Sequence, residues 1–321
     1  MDDGPTALHN PPRARSEHSP RLARRPSPEP HHRRRRMLAL GLLAGAALIL
    51  GAIAGAGGGT VAHRSANLAP GFFARIQTLA GTGHGSFTAA EKAAENGAID
   101  RTLASMPYVR VAGAQHKEIA LTFDDGPGPY TPQVLSVLER KNTPATFFEV
   151  GVEERYFHAS TSQIVADGYP IGDHTQAHAP MSKLSPADQQ SQLVQQISAM
   201  GAYGATFPRM FRPPYGLFNA ATLKLLKKYR MLMVLWTIDT SDYRQPGVSA
   251  IVNSVLSAAR PGAIVLMHDA GGARAETVTA LPRIISGLRA RGYKLATVPR
   301  LLLDNPAPAN QQITSLAGSG G

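Results

Sequence analysis

The sequence predicts an α/β fold built on a parallel sheet, and it favours a seven-stranded (β/α) barrel. From Lys117 onward, seven short apolar runs typical of strands alternate with runs typical of helices. Polar residues suited to chemistry follow the first, third, fourth, fifth and sixth of these strands. Five strand ends cannot meet at one point of an open sheet, whereas in a barrel they surround one mouth. An open doubly wound sheet is therefore the weaker alternative.

Residues 117–303 hold the predicted α/β domain. Its strands are expected at residues 118–123, 145–150, 169–171, 209–212, 231–237, 263–267 and 293–296. Its helices are expected at residues 132–140, 161–166, 186–203, 220–229, 249–259 and 276–291. Pro132 in a first helical turn, and Gly168 and Gly292 just after helix ends, are typical helix boundaries.

An uncharged apolar stretch near the N-terminus predicts a membrane anchor. Residues 37–57 read MLALGLLAGAALILGAIAGAG, and a bilayer core of about 30 Å needs roughly 20 such residues. Arg33 to Arg36 stand directly before it, which predicts a cytoplasmic N-terminus and an extracytoplasmic remainder. We therefore expect residues 37–58 to form a single-pass signal-anchor in the cell membrane. A cleaved secretory signal or a twin-arginine export signal is the alternative, and either also takes the domain out of the cytoplasm.

The segments around the anchor and the domain carry little chemistry. Residues 1–36 are rich in Pro, Arg and His and predict a disordered basic cytoplasmic tail. Residues 59–116 are interpreted as an extracytoplasmic spacer with a short helix, which a capping box at Thr88 opens. Residues 304–321 are expected to form a flexible C-terminal tail.

The net charge of +11 is unevenly spread, because residues 1–36 hold nine arginines and four acidic residues and so carry +5 of it. Such a tail suits either nucleic acid or anionic lipid. The sequence shows no fold or aromatic platform for nucleic acid, and membrane topology explains the position of Arg33 to Arg36. We therefore expect contact with anionic lipid at this cluster and no nucleic-acid partner.

The 321 residues include no cysteine, so a transition metal must be held by His, Asp or Glu. His174 and His178 stand four residues apart, a spacing that suits two ligands in one helical turn or tight loop. The spacing is weak by itself, because surface and capping histidines show it too. With Asp125 after the first strand, an Asp-His-His site open to water and substrate is predicted.

Asp124 directly precedes Asp125, and adjacent carboxylates raise each other's pKa. Neighbouring strand residues point to opposite sides, so the two can have different roles. Asp124 is the candidate general base; the alternative is that one of the two carboxylates caps the Asp-Gly-Pro turn. Arg212 is the candidate partner of that base, and a surface arginine beside the rigid Pro213-Pro214 turn is its alternative.

His268 ends an apolar strand and is followed by Asp269. It is a candidate general acid, because a nearby carboxylate raises the pKa of an imidazole. A purely structural histidine is the alternative. Asp239 and Asp242 are further candidates for that carboxylate, and Trp236, the only tryptophan, is interpreted as core packing.

Together these segments resemble the polysaccharide deacetylase family, the carbohydrate esterases of family 4 that share a NodB-type homology domain. The resemblance covers about residues 117–303 and rests on five short motifs in the family's order. They are Thr-Phe-Asp124-Asp125-Gly-Pro, His174-Thr-Gln-Ala-His178, Arg212-Pro-Pro-Tyr215-Gly216, Asp239-Thr-Ser-Asp242-Tyr243 and Val265-Leu266-Met267-His268. Each motif is weak alone, and the ordered set is highly specific.

The resemblance implies a distorted seven-stranded (β/α) barrel that holds a divalent metal, usually zinc, with Co2+, Mn2+ or Ni2+ as alternatives. It implies that three residues bind the metal, that one carboxylate is the base, that an arginine positions this base, and that a histidine is the acid. These are Asp125, His174 and His178 for the metal, Asp124 as base, Arg212 as its partner and His268 as acid.

The same resemblance implies further roles around the substrate. The backbone N–H of Tyr215 helps to stabilise the oxyanion, Leu266 lines the pocket for the acetyl methyl group, and Asp242 tunes His268. The residue after Asp242 is usually tryptophan in the family and is Tyr243 here. Tyrosine keeps an aromatic wall with less area and an added hydroxyl, so this departure concerns substrate fit more than catalysis.

The expected function is a metal-dependent deacetylase that hydrolyses the acetamide of N-acetylglucosamine-type residues in a polysaccharide. An outward-facing domain makes peptidoglycan the first expectation. Chitin oligomers, another extracellular glycan such as a capsular or biofilm polymer, and O-acetyl xylan are alternatives with the same chemistry. An inactive glycan-binding module is an alternative of a different class, although a binder needs no base, base-orienting arginine or acid.

Overall fold

Short parallel strands, each followed by a helix or loop that crosses back, build the sheet of this protein. The computed structural model describes residues 88–312, and the bounds below refer to that part. The strands are β1 Tyr108–Val109, β2 Glu118–Asp124, β3 Thr146–Glu149, β4 Ile171–Asp173, β5 Met210–Phe211, β6 Leu232–Val234, β7 Ile238–Asp239, β8 Ile264–His268 and β9 Lys294–Ala296.

Eight α-helices lie in the described residues. They are α1 Ala89–Ser105, α2 Thr131–Arg140, α3 Gly151–Ala166, α4 Pro186–Gly201, α5 Ala220–Tyr229, α6 Val248–Ala258, α7 Ala275–Ala290 and α8 Val298–Asp304. Three short 3₁₀ helices follow strands or loops at Met181–Lys183, Pro214–Gly216 and Asp242–Arg244.

The strand order is β1-β6-β5-β4-β3-β2-β8-β7, and every pairing is parallel. The ninth strand, β9, pairs with the first half of β2, and β3 pairs with the second half. The two end strands, β1 and β7, do not pair with each other within residues 88–312. The sheet is therefore curled like a (β/α) barrel but stays open along one side.

All seven predicted strands are present, most bounds shift by one or two residues, and two of the predicted elements differ more than that. The run 231–237 divides into β6 and β7, because the chain changes partners there: Leu235 N donates to Val109 O, and Thr237 N donates to Ile264 O. The predicted helix 161–166 is the last part of α3. The helix was underestimated because it is kinked at Phe157 and its apolar residues do not keep one helical period.

The side chains of strand β2 alternate between two hydrophobic cores, one on each face of the sheet. The outer face packs on helices α2, α6 and α7, and the inner face looks into the barrel. The outer residues are Ile119, Leu121 and Phe123, and the inner ones are Ala120, Thr122 and Asp124. The last inner position of β2 therefore carries a carboxylate at the mouth of the barrel.

Helix α1 lies in the predicted spacer but is part of the folded unit. Ile99 is fully buried and packs in the inner core with Leu301 and Leu302 of α8, a helix that the sequence patterns did not indicate. The predicted capping box is confirmed: Thr88 Oγ1 accepts from Glu91 N, and Thr88 N donates to Glu91 Oε2 at 2.8 Å. The folded unit thus begins before residue 117.

The first part of the predicted flexible C-terminal tail is held by hydrogen bonds. Asn305 is fully buried and donates to Glu118 Oε2 at 2.8 Å. The side chain of Gln311 accepts from the backbone of Arg110 at 2.7 Å and of Val111 at 3.1 Å. The remainder of this predicted tail, residues 313–321, lies outside the described residues.

Helices that could span a bilayer are not found in residues 88–312, because none there is both long and apolar enough. The predicted basic tail, the predicted anchor at residues 37–58 and the first part of the predicted spacer all lie outside the described residues.

Candidate active site

The end of β2 places Asp124 at the centre of the candidate site. Parallel register sets it beside Phe148 of β3 and His268 of β8. The Asp124 side chain is buried, and its Oδ1 accepts a hydrogen bond from Arg212 Nη1 at 2.6 Å. This contact brings the candidate base and its predicted partner together.

Arg212 is fully buried and is held on several sides. Its Nε donates to Val234 O at 2.9 Å, and its Nη1 also donates to Thr122 Oγ1 at 2.8 Å. The guanidinium lies 4.0 Å from the centre of the Phe148 ring. Burial lowers the pKa of Arg212 and the Asp124 carboxylate opposes this change. The alternative of a surface arginine beside a turn is therefore excluded.

Asp125, His174 and His178 form the predicted three-residue group. His178 Nε2 lies 3.1 Å from Asp125 Oδ1, and His174 Nε2 lies 3.6 Å from the same oxygen. Each residue offers one ligand atom, and these atoms lie within 4.8 Å of one another. Asp125 and His178 have left-handed backbone angles, with φ of 72° and 50°, conformations that non-glycine residues adopt mainly at functional sites and turns.

Hydrogen bonds at Nδ1 orient both imidazoles. His174 Nδ1 lies 2.6 Å from the carbonyl oxygen of Arg212, and a carbonyl only accepts, so Nδ1 carries the proton. The lone pair of His174 is then on Nε2, which faces the carboxylates. His178 Nδ1 lies 3.1 Å from the Tyr215 hydroxyl, so its Nε2 also faces Asp125. Outer hydrogen bonds of this kind hold histidine ligands in metal sites.

The group fits a divalent transition metal. Asp125 Oδ1 is buried and has no hydrogen-bond partner in the described part of the chain, although two imidazole nitrogens face it. Burial by itself would raise the pKa of Asp125, but the contacts with His174 and His178 outweigh it and hold that pKa well below its ordinary range. Two imidazoles and one ionised carboxylate are the donor set of open zinc sites.

His268 and Asp242 form a second polar pair on the opposite wall. His268 Nδ1 lies 2.7 Å from Asp242 Oδ1, and His268 N and Thr277 Oγ1 donate to Asp242 Oδ2 at 2.9 and 2.7 Å. Burial opposes protonation of His268, yet the hydrogen bond to Asp242 raises its pKa to about 9. The other candidate, Asp239, is exposed and accepts from Ser241 N instead.

Asp269 has a different environment from the one its position after His268 suggests. It is fully buried and accepts from Thr131 Oγ1 at 2.5 Å, against the turn at Gly126. Burial raises the pKa of Asp269 to about 7. Successive strand residues point to opposite sides, which is why the neighbour in sequence is not the hydrogen-bond partner of the imidazole.

The residues expected to contact substrate line one pocket of about 490 Å³ with the polar groups above. Tyr215 is exposed and has a left-handed backbone with φ of 60°. Tyr243 is partly exposed, with its ring 5.5 Å from that of His268, and Leu266 lies on β8 in the floor. Trp236, interpreted from the sequence as core packing, also lines this pocket.

Four further pocket residues were not singled out from the sequence: Val150, Glu153, Gly271 and Arg274. Gly271 has φ of 72°, and a Cβ at this position would lie 2.3 Å from Asp125 Oδ2. The Gly271-Gly272 pair, three residues after the strand end at His268, was the available signal, because such pairs allow close approach of the backbone to a site.

The fold and this site together define the class of protein. The pattern that defines the family described as polysaccharide deacetylase matches residues 112–234. The chain is 36% identical over 207 residues to a chitooligosaccharide deacetylase of Bradyrhizobium, covering 60% of this chain and 94% of that protein. It is 39% identical over 189 residues to a peptidoglycan-N-acetylglucosamine deacetylase of Bacillus cereus, covering 58% and 88%. The chain therefore belongs to the polysaccharide deacetylase family, whose named relatives are hydrolases.

Solved structures show the same likeness. A peptidoglycan N-acetylglucosamine deacetylase in complex with 4-naphthalen-1-yl-N-oxidanyl-benzamide superposes with a TM-score of 0.61 at 29% identity, covering 66% of this chain and 99% of that one. A family pseudoenzyme from Bacillus anthracis superposes with a TM-score of 0.58 at 29% identity, covering 61% and 69%. The family therefore includes a pseudoenzyme, so family membership alone does not establish that each member is active.

Proposed function

We propose that this protein is a metal-dependent N-deacetylase of polysaccharides that contain N-acetylglucosamine. The observation that carries the proposal is the arrangement of three groups around one pocket. A metal-binding triad, a carboxylate paired with a buried arginine, and an imidazole paired with a buried carboxylate all face the same space. Amide hydrolysis needs a polarised carbonyl, a base and an acid, and each of these groups supplies one requirement.

Asp125, His174 and His178 would hold the metal, with zinc first and Co2+, Mn2+ or Ni2+ as alternatives. A divalent cation held there would supply Lewis-acid chemistry, which polarises a carbonyl and makes water more acidic. The chain's own contribution is to fix the tautomer of His174 and to hold the Asp125 carboxylate in its ionised form. Both the tautomer and the ionised carboxylate are set by contacts within the chain, without a bound substrate.

Asp124 is the base in this proposal. Its Oδ1 is bound by Arg212 at 2.6 Å, so its Oδ2 is the oxygen available toward the pocket, 3.7 Å from His174 Nε2. The carboxylate takes a proton from the water whose oxygen attacks the acetyl carbon. The Arg212 side chain is fixed in position, because it also donates hydrogen bonds to the Val234 carbonyl and to Thr122 Oγ1. The pair therefore keeps the base oriented.

His268 is the acid. Its Nδ1 is bonded to Asp242, and its raised pKa keeps it protonated at neutral pH. The imidazolium gives its proton to the amide nitrogen as the carbon–nitrogen bond breaks, so that acetate and a free amine leave. The Tyr215 backbone N–H, in the rigid loop after Arg212, would stabilise the oxygen of the tetrahedral intermediate.

Leu266, Tyr215 and Tyr243 would form the walls around the acetyl group and the sugar. Leu266 is one of the apolar residues that line the pocket, which suits the acetyl methyl group. Tyr243 packs against His268 and keeps part of its surface exposed, so a sugar ring can lie against it.

Peptidoglycan is the first proposed polymer. Relatives of this chain are named peptidoglycan-N-acetylglucosamine deacetylase and chitooligosaccharide deacetylase, and the predicted anchor would place the domain next to a cell wall. We propose a single-pass protein of the cell membrane with the catalytic domain outside, or a secreted one if the signal is cleaved. Chitin oligomers, other extracellular glycans and O-acetyl xylan are the competing substrates.

The test is acetate release by zinc-loaded residues 59–321 from peptidoglycan, chitin oligomers and acetyl xylan, with His178→Ala as the matched inactive variant. Release from an N-acetylated glycan by the parent chain and loss of release in the variant would support the proposal. Binding of glycan without release from any of them would identify a binding module instead.

A further inference from the structure

Arg274 is a buried cation in the wall of the active-site pocket. It stands at the start of α7, after the loop that follows β8. Only 3% of its surface is exposed, and it forms no ion pair with any carboxylate of residues 88–312. The positive charge is therefore left without a direct counterion in the part of the chain that is described.

The hydrogen bonds of Arg274 use only part of its guanidinium. Nη1 donates to Ala273 O at 2.8 Å and Nη2 donates to Gly271 O at 3.0 Å. The Nε–H is buried and has no acceptor among the described residues. A buried donor without an acceptor is destabilising, so this guanidinium keeps hydrogen-bonding capacity that the described residues do not use.

Among the described residues, no other charged side chain of the pocket pairs with Arg274 and neutralises its positive charge. Asp124 is paired with Arg212, and Asp125 faces the two histidines and the proposed metal. Glu153 and Asp239 line the same pocket but do not contact the Arg274 guanidinium. An anionic ligand in the pocket would therefore supply the counterion that Arg274 lacks.

We propose that Arg274 binds a carboxylate of the substrate and so directs the enzyme toward acidic glycans. The inference rests on the proposed function, because it names the substrate class of that same site. Arginine is suited to the role, since it stays charged when buried and its planar donors match a carboxylate. Neutral chitin oligomers lack this group, whereas the strands of peptidoglycan carry carboxylates next to each N-acetylglucosamine.

Two sources could supply the carboxylate in peptidoglycan. One is the lactyl group of the neighbouring muramic acid in strands that have lost their peptides, and the other is the peptide itself. Three matched substrates separate them: peptide-free strands with free lactyl carboxylates, the same strands with these groups capped as methyl amides, and peptide-bearing strands. The capped strands keep every sugar and remove only the charge.

The experiment measures kcat/KM for acetate release by the zinc-loaded chain on all three substrates and on neutral chitin oligomers. For the unmodified chain we expect free strands, peptide-bearing strands or both to exceed capped strands by about tenfold or more, which is typical of a charge-assisted hydrogen bond. In Arg274→Gln this ratio should fall to near one, mainly through KM. Arg274→Lys should recover part of it.

Arg283→Gln is the matched control, because Arg283 is an exposed arginine on the same helix and its loss removes the same charge. It should keep the ratio of the unmodified chain. Glu153→Gln removes an anion from the pocket and should leave the ratio unchanged or increase it.

Equal rates on free, peptide-bearing and capped strands by the unmodified chain would overturn the inference and leave the deacetylase proposal standing. So would an Arg274→Gln variant that loses the same factor on all substrates together with a lower melting temperature, which indicates a structural arginine. No acetate release from any glycan by the unmodified chain would instead overturn the proposed function.

Discussion

Asp124 and Asp125 are adjacent in the chain but differ in backbone conformation and in their main side-chain partners. Asp124 ends β2 in a regular strand and is bound to Arg212. Asp125 adopts a left-handed backbone with φ of 72°, which turns its carboxylate toward His174 and His178. Two like charges on neighbouring residues are tolerated here because Arg212 pairs with Asp124, His178 lies beside Asp125, and His174 lies within 4 Å of both carboxylates.

The first prediction separates the roles of these two carboxylates. Asp125→Asn should weaken zinc affinity by at least ~100-fold, more than loss of an outer hydrogen-bond partner usually does. Asp124→Asn should retain zinc and lose about 10²–10⁴ of its activity, as loss of a general base does. Zinc titration and acetate release on the same preparations measure both.

Thermal unfolding is the necessary control, because Asp124→Asn leaves Arg212 buried without a counterion, and breaking a buried pair costs about 3–5 kcal/mol. If both folded variants lose zinc to the same extent, the two carboxylates do not have separate roles.

The second prediction concerns His268. Its pKa is raised to about 9 by the hydrogen bond to Asp242, so it is protonated below that pH and loses its proton above it. An acid that must be protonated makes activity fall as pH rises through its pKa. Asp242→Asn removes the charge that raises this pKa, and the alkaline limb should move down toward the ordinary value of about 6.5.

The measurement is the pH profile of kcat/KM with zinc-saturated enzyme. Thr277→Val removes only one donor to Asp242 and should move the alkaline limb less than Asp242→Asn does. An alkaline limb that stays in place in Asp242→Asn would exclude His268 as the group that sets it.

At the scale of elements, the loop between β8 and α7 connects the two halves of the site. It begins at His268, passes Gly271 against the Asp125 carboxylate, and ends at Arg274. The Arg274 side chain bonds two carbonyl oxygens of this loop, those of Gly271 and Ala273. The loop therefore forms one wall of the proposed metal site without contributing a ligand.

The third prediction tests that wall. Gly271→Ala places a Cβ 2.3 Å from Asp125 Oδ2 at a backbone angle that disfavours alanine, so the carboxylate must shift. Zinc affinity should fall by about 10–100-fold, as when the support of a metal ligand is lost. Gly201→Ala at the end of α4 is the control, because a Cβ there meets nothing within 4 Å. Equal zinc affinity in both variants would show that the loop does not restrain Asp125.

At the scale of the whole molecule, the curled parallel sheet explains how residues 144 positions apart in sequence become neighbours. Parallel register sets Asp124 beside His268, and β3 to β5 bring the histidine loop and Arg212 to the same end. Carboxyl ends of parallel strands lie at one end of such a sheet, so the whole site forms at one mouth.

The fourth prediction concerns the whole chain in the cell and depends on the predicted anchor. Arg35 and Arg36 directly precede the apolar stretch, and positive charges close to a span hold the N-terminus inside. Replacing both with Gln should increase the fraction of chains in which protease added to intact cells no longer reaches the domain. Replacing Arg13 and Arg15, far from the span, removes the same charge and should have little effect. Equal effects of the two pairs would contradict the predicted topology.

The periodic alternation and the five motifs, and hence the family, could be recognised from the sequence alone. These are local properties: alternating apolar runs record strands and helices, and the residues of Asp124-Asp125-Gly126-Pro127 keep their chemistry wherever the chain runs. The sequence could not show that residues 89–109 join the fold, because Ile99 becomes a core residue only when α8 packs on it.

The carboxylate that binds His268 could be identified only from the fold. The sequence offered Asp239, Asp242 and Asp269, and the register of β7 and β8 with the turn at Ser241 selected Asp242. The packing of the loop after β8 also placed Gly271 against Asp125 and left Arg274 buried without a counterion. Hydrogen bonds and charges act over a few ångströms, and at that range neighbours are set by how strands pair and loops pack rather than by order along the chain.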